Sequence, residues 1–502
     1  MANDRSDSQH LALRGGVRRG RIPPGHARPE PKLYERLAAD LEDMIRQGVL
    51  GPGDRLPSVR FLSRSRGISL STVFQACYLL EARGLIRSRQ RSGWFVTGIR
   101  LGRPPEPAAT AKPPTEARTP DTGEMIFAIL HGARNPDSAG LGSALPAPSL
   151  FPLARLSQSL ARATRRIDPQ QVLEDMTPGN AGLVRQIALR YRAEGINVAE
   201  QEIIVTNGAL EALHLCLSSL TRPGDAVLVE TPTFYGALQA LEMHGLRAVH
   251  VPTHPADGVD LAALDAALAT HHPRACWLMT NFQNPLGSLM SNDRKRELVA
   301  LLACHDVALI EDDVYGELFF DGVRPPPAKS FDTAGRVLHC SSFSKSLAPG
   351  FRVGWVAAGR HAHDVAWRKL ASSLGTSLPP QLALADYLAT AGFERHLHRL
   401  RAQLATHQAE MADALRRHFP PGTTATRPRG GYFLWVELPE SFDAMRLHHD
   451  AGAHGICIAP GPIFSADQGF RNCLRLNYSC PVDGRVEHAV ATLGRLLSTQ
   501  RN

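Results

Sequence analysis

A lysine set among serines, Ser341-Ser342-Phe343-Ser344-Lys345-Ser346, with Arg352 seven residues further on, carries the most legible chemistry in this sequence. The lysine amine can condense with an aldehyde, while hydroxyls and a guanidinium suit a phosphate on the same molecule. An aldehyde cofactor bearing a phosphate engages both. The same residues also suit a Ser-rich loop after a strand, with a solvated lysine. The choice rests on what else the chain supplies.

Further polar motifs each follow a short apolar run. Asn207-Gly208-Ala209-Leu210-Glu211 opens a helical stretch, where small residues let backbone N–H groups approach a phosphate with the help of the helix dipole. Many strand-to-helix turns carry glycine without that purpose. In Thr231-Pro232-Thr233-Phe234-Tyr235-Gly236, Phe234 can stack on a planar ring or pack in a core. In Asn281-Phe282-Gln283-Asn284-Pro285-Leu286-Gly287, Asn284 can donate to a phenolate oxygen, or Asn-Pro and Gly simply build a turn. In Glu311-Asp312-Asp313-Val314-Tyr315, Asp312 can hold a pyridine nitrogen protonated, and Tyr315 can bond the same phenolate as Asn284. An Asp-rich cluster also suits a metal, but no His or further carboxylate stands at matching spacing, so no metal site is expected.

Elements must bring these motifs together. Strand-like runs (203–206, 226–230, 275–280, 307–311, 337–341 and 353–358) alternate with helical ones (210–220, 237–244 and 294–304). This alternation predicts a mainly parallel sheet with helices on both faces, and ligands in such sheets gather at the carboxyl ends of the strands. The motifs fall at those ends. A long helical stretch over 381–419 leads on into the C-terminal part, with its histidines expected mostly at the surface.

Length and composition set the frame. The chain has 502 residues, 43% apolar and 21% charged, enough for two or three ordinary globular domains. No run approaches the ~18 apolar residues of a membrane helix. No apolar segment before a small-residue cleavage site marks a secretory signal, and eight cysteines lack CxxC or His-Cys spacing. A cytoplasmic protein with reduced core thiols is expected.

Charge is unevenly placed. Residues 1–100 hold 18 Lys+Arg and 9 Asp+Glu, a balance of +9; the rest holds 56 − 18 = 38 basic and 48 − 9 = 39 acidic residues, a balance of −1. Such segregation points to a polyanion partner for the first fifth, most often nucleic acid. Residues 1–30 read as a disordered basic arm. Beyond it, Leu33, Leu37, Leu41, Met44 and Ile45 form one helical stripe closed by Gly48, and a turn at 51–54 leads to a short helix ending near Gly67. Ser69 can cap a third helix bearing Val73, Cys77 and Leu80. Two short strands around 90–93 then make a basic hairpin. Residues 31–98 thus predict a winged helix-turn-helix, mainly α with a β-hairpin wing, whose third helix enters the major groove of double-stranded DNA. Residues 99–130, rich in proline, predict a semi-extended tether. Residues 131–502 form the remaining α/β domain, its larger part at about 175–370 and a smaller α+β subdomain from about 131–174 and 371–502.

Two resemblances attach to these motifs. Gly51-Pro52-Gly53-Asp54-Arg55-Leu56-Pro57-Ser58-Val59-Arg60, Ser69…Thr72-Val73, Leu80-Glu81…Gly84-Leu85-Ile86 and Ser92-Gly93…Val96 resemble the DNA-binding domain of the GntR family of bacterial regulators. The resemblance implies Arg55, Ser58, Arg60, Ser71 and Thr72 as DNA contacts, with Gly93 at the wing tip. Members commonly have an arginine after the capping serine; here Leu70 stands there, and Arg64 and Arg66 are the nearest substitutes. Over roughly 150–500, Asn-Pro-x-Gly, Asp-x-x-Tyr and Ser-x-Ser-Lys with its arginine resemble the fold type I pyridoxal-phosphate aminotransferases. That resemblance implies pyridoxal 5'-phosphate as cofactor, Lys345 as its Schiff-base lysine, Asp312 on the pyridinium nitrogen, Asn284 and Tyr315 on the phenolate, and Phe234 stacked on the ring. Ser342, Ser344, Arg352 and the backbone at Gly208-Ala209 would hold the phosphate, and Arg475, in Leu474-Arg475-Leu476-Asn477, would grip a substrate or effector carboxylate. A tyrosine common in relatives before Thr177-Pro178-Gly179 is missing from Leu173-Glu174-Asp175-Met176.

Joined, the two halves resemble the MocR-type subgroup of transcriptional regulators. The plan implies a homodimer, with exchange of readers between subunits allowed by the tether. It implies a regulator that senses an amino acid or other amine through Lys345. A working aminotransferase with an accessory DNA reader is the alternative, and a DNA-binding protein that does not use the cofactor fold is a third.

Overall fold

The computed structural model describes residues 32–46, 49–50, 54–82, 85–89, 93–96, 104–107, 116–132, 139–170 and 176–500. The expected basic arm, Gly48, most of the turn at 51–54, the wing tip at 90–92 and residues 173–175 lie outside them. The chain divides into two compact units, Met1–Arg100 and Leu101–Asn502.

In the first unit three helices, Leu33–Arg46, Val59–Arg66 and Leu70–Ala82, precede an antiparallel hairpin of Ile86–Arg89 with Gly93–Val96. The short second helix has defined ends: Ser58 Oγ accepts from Phe61 N–H at 3.2 Å, and Gly67 closes it with φ 64°, a conformation glycine adopts without a Cβ clash. Ser69 Oγ accepts from Thr72 N–H at 3.1 Å at the start of the third helix. Leu37, Leu41, Ile45, Leu62, Val73, Cys77 and Leu80 make the core, the stripe that 3.6-residue periodicity places on facing sides.

The second unit is built on an eight-stranded sheet in the order Ile203–Thr206, Gly354–Ala357, Val337–Ser342, Ala308–Asp312, Ala275–Leu278, Ala226–Thr231, Arg247–His254, Gly258–Val259. The five strands from Val337–Ser342 to Arg247–His254 pair in parallel, whereas Gly354–Ala357 runs antiparallel to both its neighbours. The sheet is therefore mixed. Val337–Ser342 and Gly354–Ala357 are joined by the Lys345 loop alone, a connection too short for a parallel crossover. Alternate residues face opposite layers: Val227 and Val229 pack with Leu213, Ala237 and Leu241, while Leu228 packs with Leu264, Leu298 and Leu302. A second, antiparallel sheet orders Thr424–Ala425, Phe433–Glu437, Cys473–Asn477 and Ala459–Pro460.

Three expectations need correction. Within the predicted tether, Pro105 O accepts from Ala425 N–H at 2.9 Å, Arg118 and Ala248 exchange backbone bonds, and a helix starts at Gly123 and runs to Gly132. Its Ile126 and Ile129, at i and i+3, are buried with Tyr235 and Phe464. The long helical stretch breaks into Leu378–Leu388 and Gly392–His418, with Thr390 Oγ1 accepting from Gly392 N–H at 3.2 Å. Its histidines are not all at the surface: His396 and His407 are buried, bonding the carbonyls of Ser346 (2.7 Å) and Ser479 (3.0 Å). Among the described residues no helix is long and apolar enough to cross a membrane.

Candidate functional site

Parallel pairing puts the carboxyl ends of Ala226–Thr231, Ala275–Leu278, Ala308–Asp312 and Val337–Ser342 along one edge of the sheet, and the loops that leave them enclose a cleft. Phe234, Asn284, Asp312, Tyr315, Ser342, Ser344, Lys345 and Arg352 all line it, with Ala209 at the start of helix Ala209–Leu220. Gly208 stands against the Arg352 guanidinium. Residues up to 144 positions apart in the chain thus meet in one place, since 352 − 208 = 144.

At one end of the cleft are donors. Arg352 donates to Ser344 Oγ at 3.2 Å, and Ser342 Oγ accepts from Ser344 N–H at 3.3 Å. Arg352 has φ 53°, which turns the chain back into Gly354–Ala357. Gly354 pairs with Ser342 on one side and Thr206 on the other. A Cβ at Gly354 would lie 2.6 Å from Gly208 C and 2.8 Å from Ala209 N and Ser341 O, so glycine is what lets the two loops close on each other. A guanidinium, hydroxyls and a helix N-terminus together offer donors of the kind that suit a phosphate.

In the middle, two adjacent aspartates have different surroundings. Burial works to raise Asp313, but Arg324 (2.6 Å), His339 (3.1 Å) and Asn281 (3.0 Å) outweigh it and hold the carboxylate low. Asp312 lacks such partners. Burial, then the charge of Asp313, pushes it up to about 7, against the pull of Lys345. Its Oδ1 is buried with no hydrogen-bond partner, and so is Asn284 Nδ2. A buried acceptor and a buried donor that both line the cleft fit a ligand that supplies their complements. A protonated pyridine nitrogen and a phenolate oxygen are such complements, so the residues present fit pyridoxal phosphate. Burial raises the Tyr315 hydroxyl well above its ordinary range, which keeps it a donor.

Lys345 is depressed to about 8 by burial first, then by Arg475 and Arg352, with Asp312 opposing. Its Nζ donates to Ala144 O at 2.8 Å, and the same carbonyl accepts from Tyr432 Oη at 3.0 Å. Arg475, fully buried, donates to Asn284 Oδ1 at 2.9 Å and to Gly142 O at 2.7 Å, with its guanidinium 4.1 Å from the Phe433 ring centroid. Gly142, Ala144 and Tyr432 escape sequence reasoning. The first two act through carbonyls, which any residue has; for Tyr432, the Gly430-Gly431 pair opening a strand was the available signal.

The candidate DNA contacts lie in the first unit. Arg55 is exposed, and its guanidinium lies against Gly93, 3.3 Å from where a Cβ would stand. Ser58 is engaged as a helix cap, Arg60 is exposed, and the hydroxyls of Ser71 and Thr72 both stand 2.8 Å from Ser69 Oγ. Arg64 and Arg66 are both exposed, and Arg66 pairs with Asp40 at 2.9 Å.

Comparison with known proteins agrees with both units. Residues 33–96 match the model of bacterial regulatory proteins of the gntR family, and residues 155–493 match aminotransferase class I and II. The chain is 46% identical over 466 residues to the uncharacterized HTH-type transcriptional regulator YdcR of Escherichia coli (strain K12), covering 93% of this chain and 99% of that protein. It is 33% identical to the 2-aminoadipate transaminase of Thermus thermophilus over 74% of this chain and 93% of that one. The crystal structure of a multiple substrate aminotransferase from Thermococcus profundus superposes with a TM-score of 0.69 at 28% identity, covering 75% of this chain and 95% of that one.

Proposed function

We propose a role for this chain from one premise: it belongs to the gntR family of bacterial regulatory proteins, in the MocR-type branch whose DNA reader is joined to a class I and II aminotransferase domain. It is a transcription regulator of pyridoxal-phosphate type, binding DNA through the first unit and an amino acid-type ligand through the second. In our reading the second unit senses that ligand at Lys345.

Bound in the cleft, pyridoxal phosphate supplies an aldehyde electrophile for amines and an electron-accepting ring. Arg352, Ser342, Ser344 and the N–H groups at Gly208-Ala209 would hold its phosphate. Asp312 would keep a proton on the ring nitrogen, Asn284 and Tyr315 would donate to the phenolate, and Phe234 would stack on the ring. Lys345, with a pKa brought down to about 8, has a substantial neutral fraction near physiological pH and is a competent nucleophile. Arg475 takes the ligand's carboxylate in its planar fork.

One observation carries the sensing step. Lys345 and Arg475, the two cations an amino acid would engage, are both held by carbonyls of one segment, at Ala144 and Gly142. A ligand carboxylate at Arg475 would compete with the bond to Gly142 O, and a ligand amine taken up by the cofactor aldehyde would return Lys345 as a free amine able to bond Ala144 O, so both ties of the segment change together. The adjoining strand Ala139–Gly140 pairs with Ile456–Cys457, so that change reaches the smaller subdomain. A ligand that favours one arrangement of the segment shifts the population of the two states. Duplex binding to the chain's own promoter, measured on purified protein, tests this. Indifference to cofactor, amino acids and Lys345→Ala alike refutes it.

A second reading, a working aminotransferase, is favoured by the presence of Asp312, Lys345 and Arg475 in one connected site. Sustained keto-acid production from an amino acid supports it, and a single stoichiometric turnover supports sensing. We also propose a homodimer, which sedimentation velocity of the full chain checks.

A further inference from the structure

The third helix of the reader has an unusual exposed face. Val73, Ala76, Cys77 and Leu80 are buried, which leaves Leu70, Ser71, Phe74, Gln75 and Tyr78 turned outward. From Leu70 to Leu80 there is no charged side chain. Leu70, Phe74 and Tyr78, spaced i, i+4 and i+8, are 48%, 42% and 59% exposed, so they form one continuous apolar stripe in a unit with twice as many basic as acidic residues. The Phe74 and Tyr78 rings stack at 6.3 Å, and Trp94 of the wing meets Tyr78 edge-on at 5.6 Å, which holds the stripe in place. Positive charge flanks the helix through exposed Arg55, Arg60, Arg64 and Arg87.

Resting on the reading of this unit as a DNA reader, we infer that the helix recognises its operator through thymine C5-methyl groups at A·T pairs, not through guanine edges. The flanking arginines select a polyanion, and phosphate contacts by themselves carry no sequence information. In the major groove the one apolar group on base edges is the thymine methyl, and specific guanine contacts come chiefly from arginine or lysine. This face offers neither cation. Leu70 and Phe74 lie in the first turns of the helix, the part that meets base edges in this kind of reader. Gln75, beside them, can bond adenine N6 and N7 in the same base pair whose thymine supplies the methyl. Leu70, which stands where the family resemblance leads one to expect arginine, thereby acquires a function as a specificity residue.

The test uses full-length, cofactor-loaded protein and a duplex obtained from it by repeated selection from a random-sequence library at fixed salt. Selected half-sites should be rich in A·T. Replacing thymine by deoxyuracil, which removes only the methyl, should weaken binding about fourfold for each contacted methyl, the effect of one buried methylene-sized group. Phe74→Ala and Leu70→Ser should lose the distinction between thymine and deoxyuracil duplexes while the salt dependence, set by the flanking arginines, stays unchanged. Equal binding of both duplexes by the unsubstituted protein overturns the inference and leaves DNA binding intact. So does a selected site built on G·C pairs. If the two substitutions alter the oligomeric state and not duplex binding, the stripe is a protein interface and the inference falls. If no duplex is retained at all, the DNA-reader reading falls with it.

Discussion

Replacing Lys345 with methionine should stabilise the cofactor-free protein at neutral pH, even though Lys345 is the residue on which the proposed amine chemistry depends. Burial, Arg475 and Arg352 bring its pKa from 10.5 to about 8. That difference, 10.5 − 8 = 2.5 units, corresponds to about 3 kcal/mol of unfavourable charge in the folded state. Lys345 keeps some contact with water, so about 2 kcal/mol is the expected gain. Below about pH 8 the lysine is protonated whether folded or not, and the full penalty is present. Between about 8 and 10.5 the unfolded chain holds a proton that the folded chain has released, so wild-type stability rises with pH and the variant's advantage fades. Methionine matches the lysine stem in length, and Ala144 O keeps its bond from Tyr432 at 3.0 Å, so no acceptor is stranded. Urea unfolding followed by tryptophan fluorescence is the assay; four of the five tryptophans (Trp277, Trp355, Trp367 and Trp435) report on the second unit. An equal or lower midpoint for Lys345→Met near neutral pH refutes the reasoning, as does an advantage undiminished in alkali.

Arg475→Met should weaken binding of amino acids to the cofactor-loaded protein by about 10²- to 10³-fold, the loss of paired charge-assisted hydrogen bonds, while the corresponding decarboxylated amines bind as before; calorimetric titration with both ligand types checks it. Gly354→Ala pushes a Cβ against backbone at Gly208, Ala209 and Ser341, so it should cost about 1–3 kcal/mol and release cofactor faster on dialysis. Asp312→Asn should stabilise the cofactor-free protein above pH 7. The folded carboxyl titrates at about 7 against 3.8 when unfolded, so the stability its proton confers is complete below 3.8 and lost as pH rises through 7. Thermal melts of both proteins at pH 5 and at pH 8 separate this from a pH-independent effect.

Several parts were legible because they depend on local sequence. Ser58, Gly67 and Ser69 mark helix ends through bonds within a few residues, and the apolar stripes of the first unit state its three helices. Asn284, Asp312 and Lys345 sit in motifs that directly follow apolar runs, so their place at strand ends could be read. Other features depend on distant partners. Ile126 and Ile129 looked like part of a tether because the surface that covers them, at Tyr235 and Phe464, lies over a hundred residues away. His396 looked exposed because its partner is the carbonyl of Ser346.

The residue types alone therefore determined which chemistry is available, an amine, groups suited to a phosphate and a basic unit, while the carboxylate-gripping role of Arg475 came only from the resemblance. Tertiary structure decided how those groups differ from their free forms. Asp312 and Asp313 are chemically identical neighbours, yet Arg324 and His339 neutralise one and leave the other to burial. The antiparallel return at Gly354 packs the Lys345 loop against Gly208, and the carbonyls of Gly142 and Ala144 tie Arg475 and Lys345 to one segment. None of these contacts has a sequence signature, because backbone carbonyls are common to every residue and electrostatic environment is set by proximity in space.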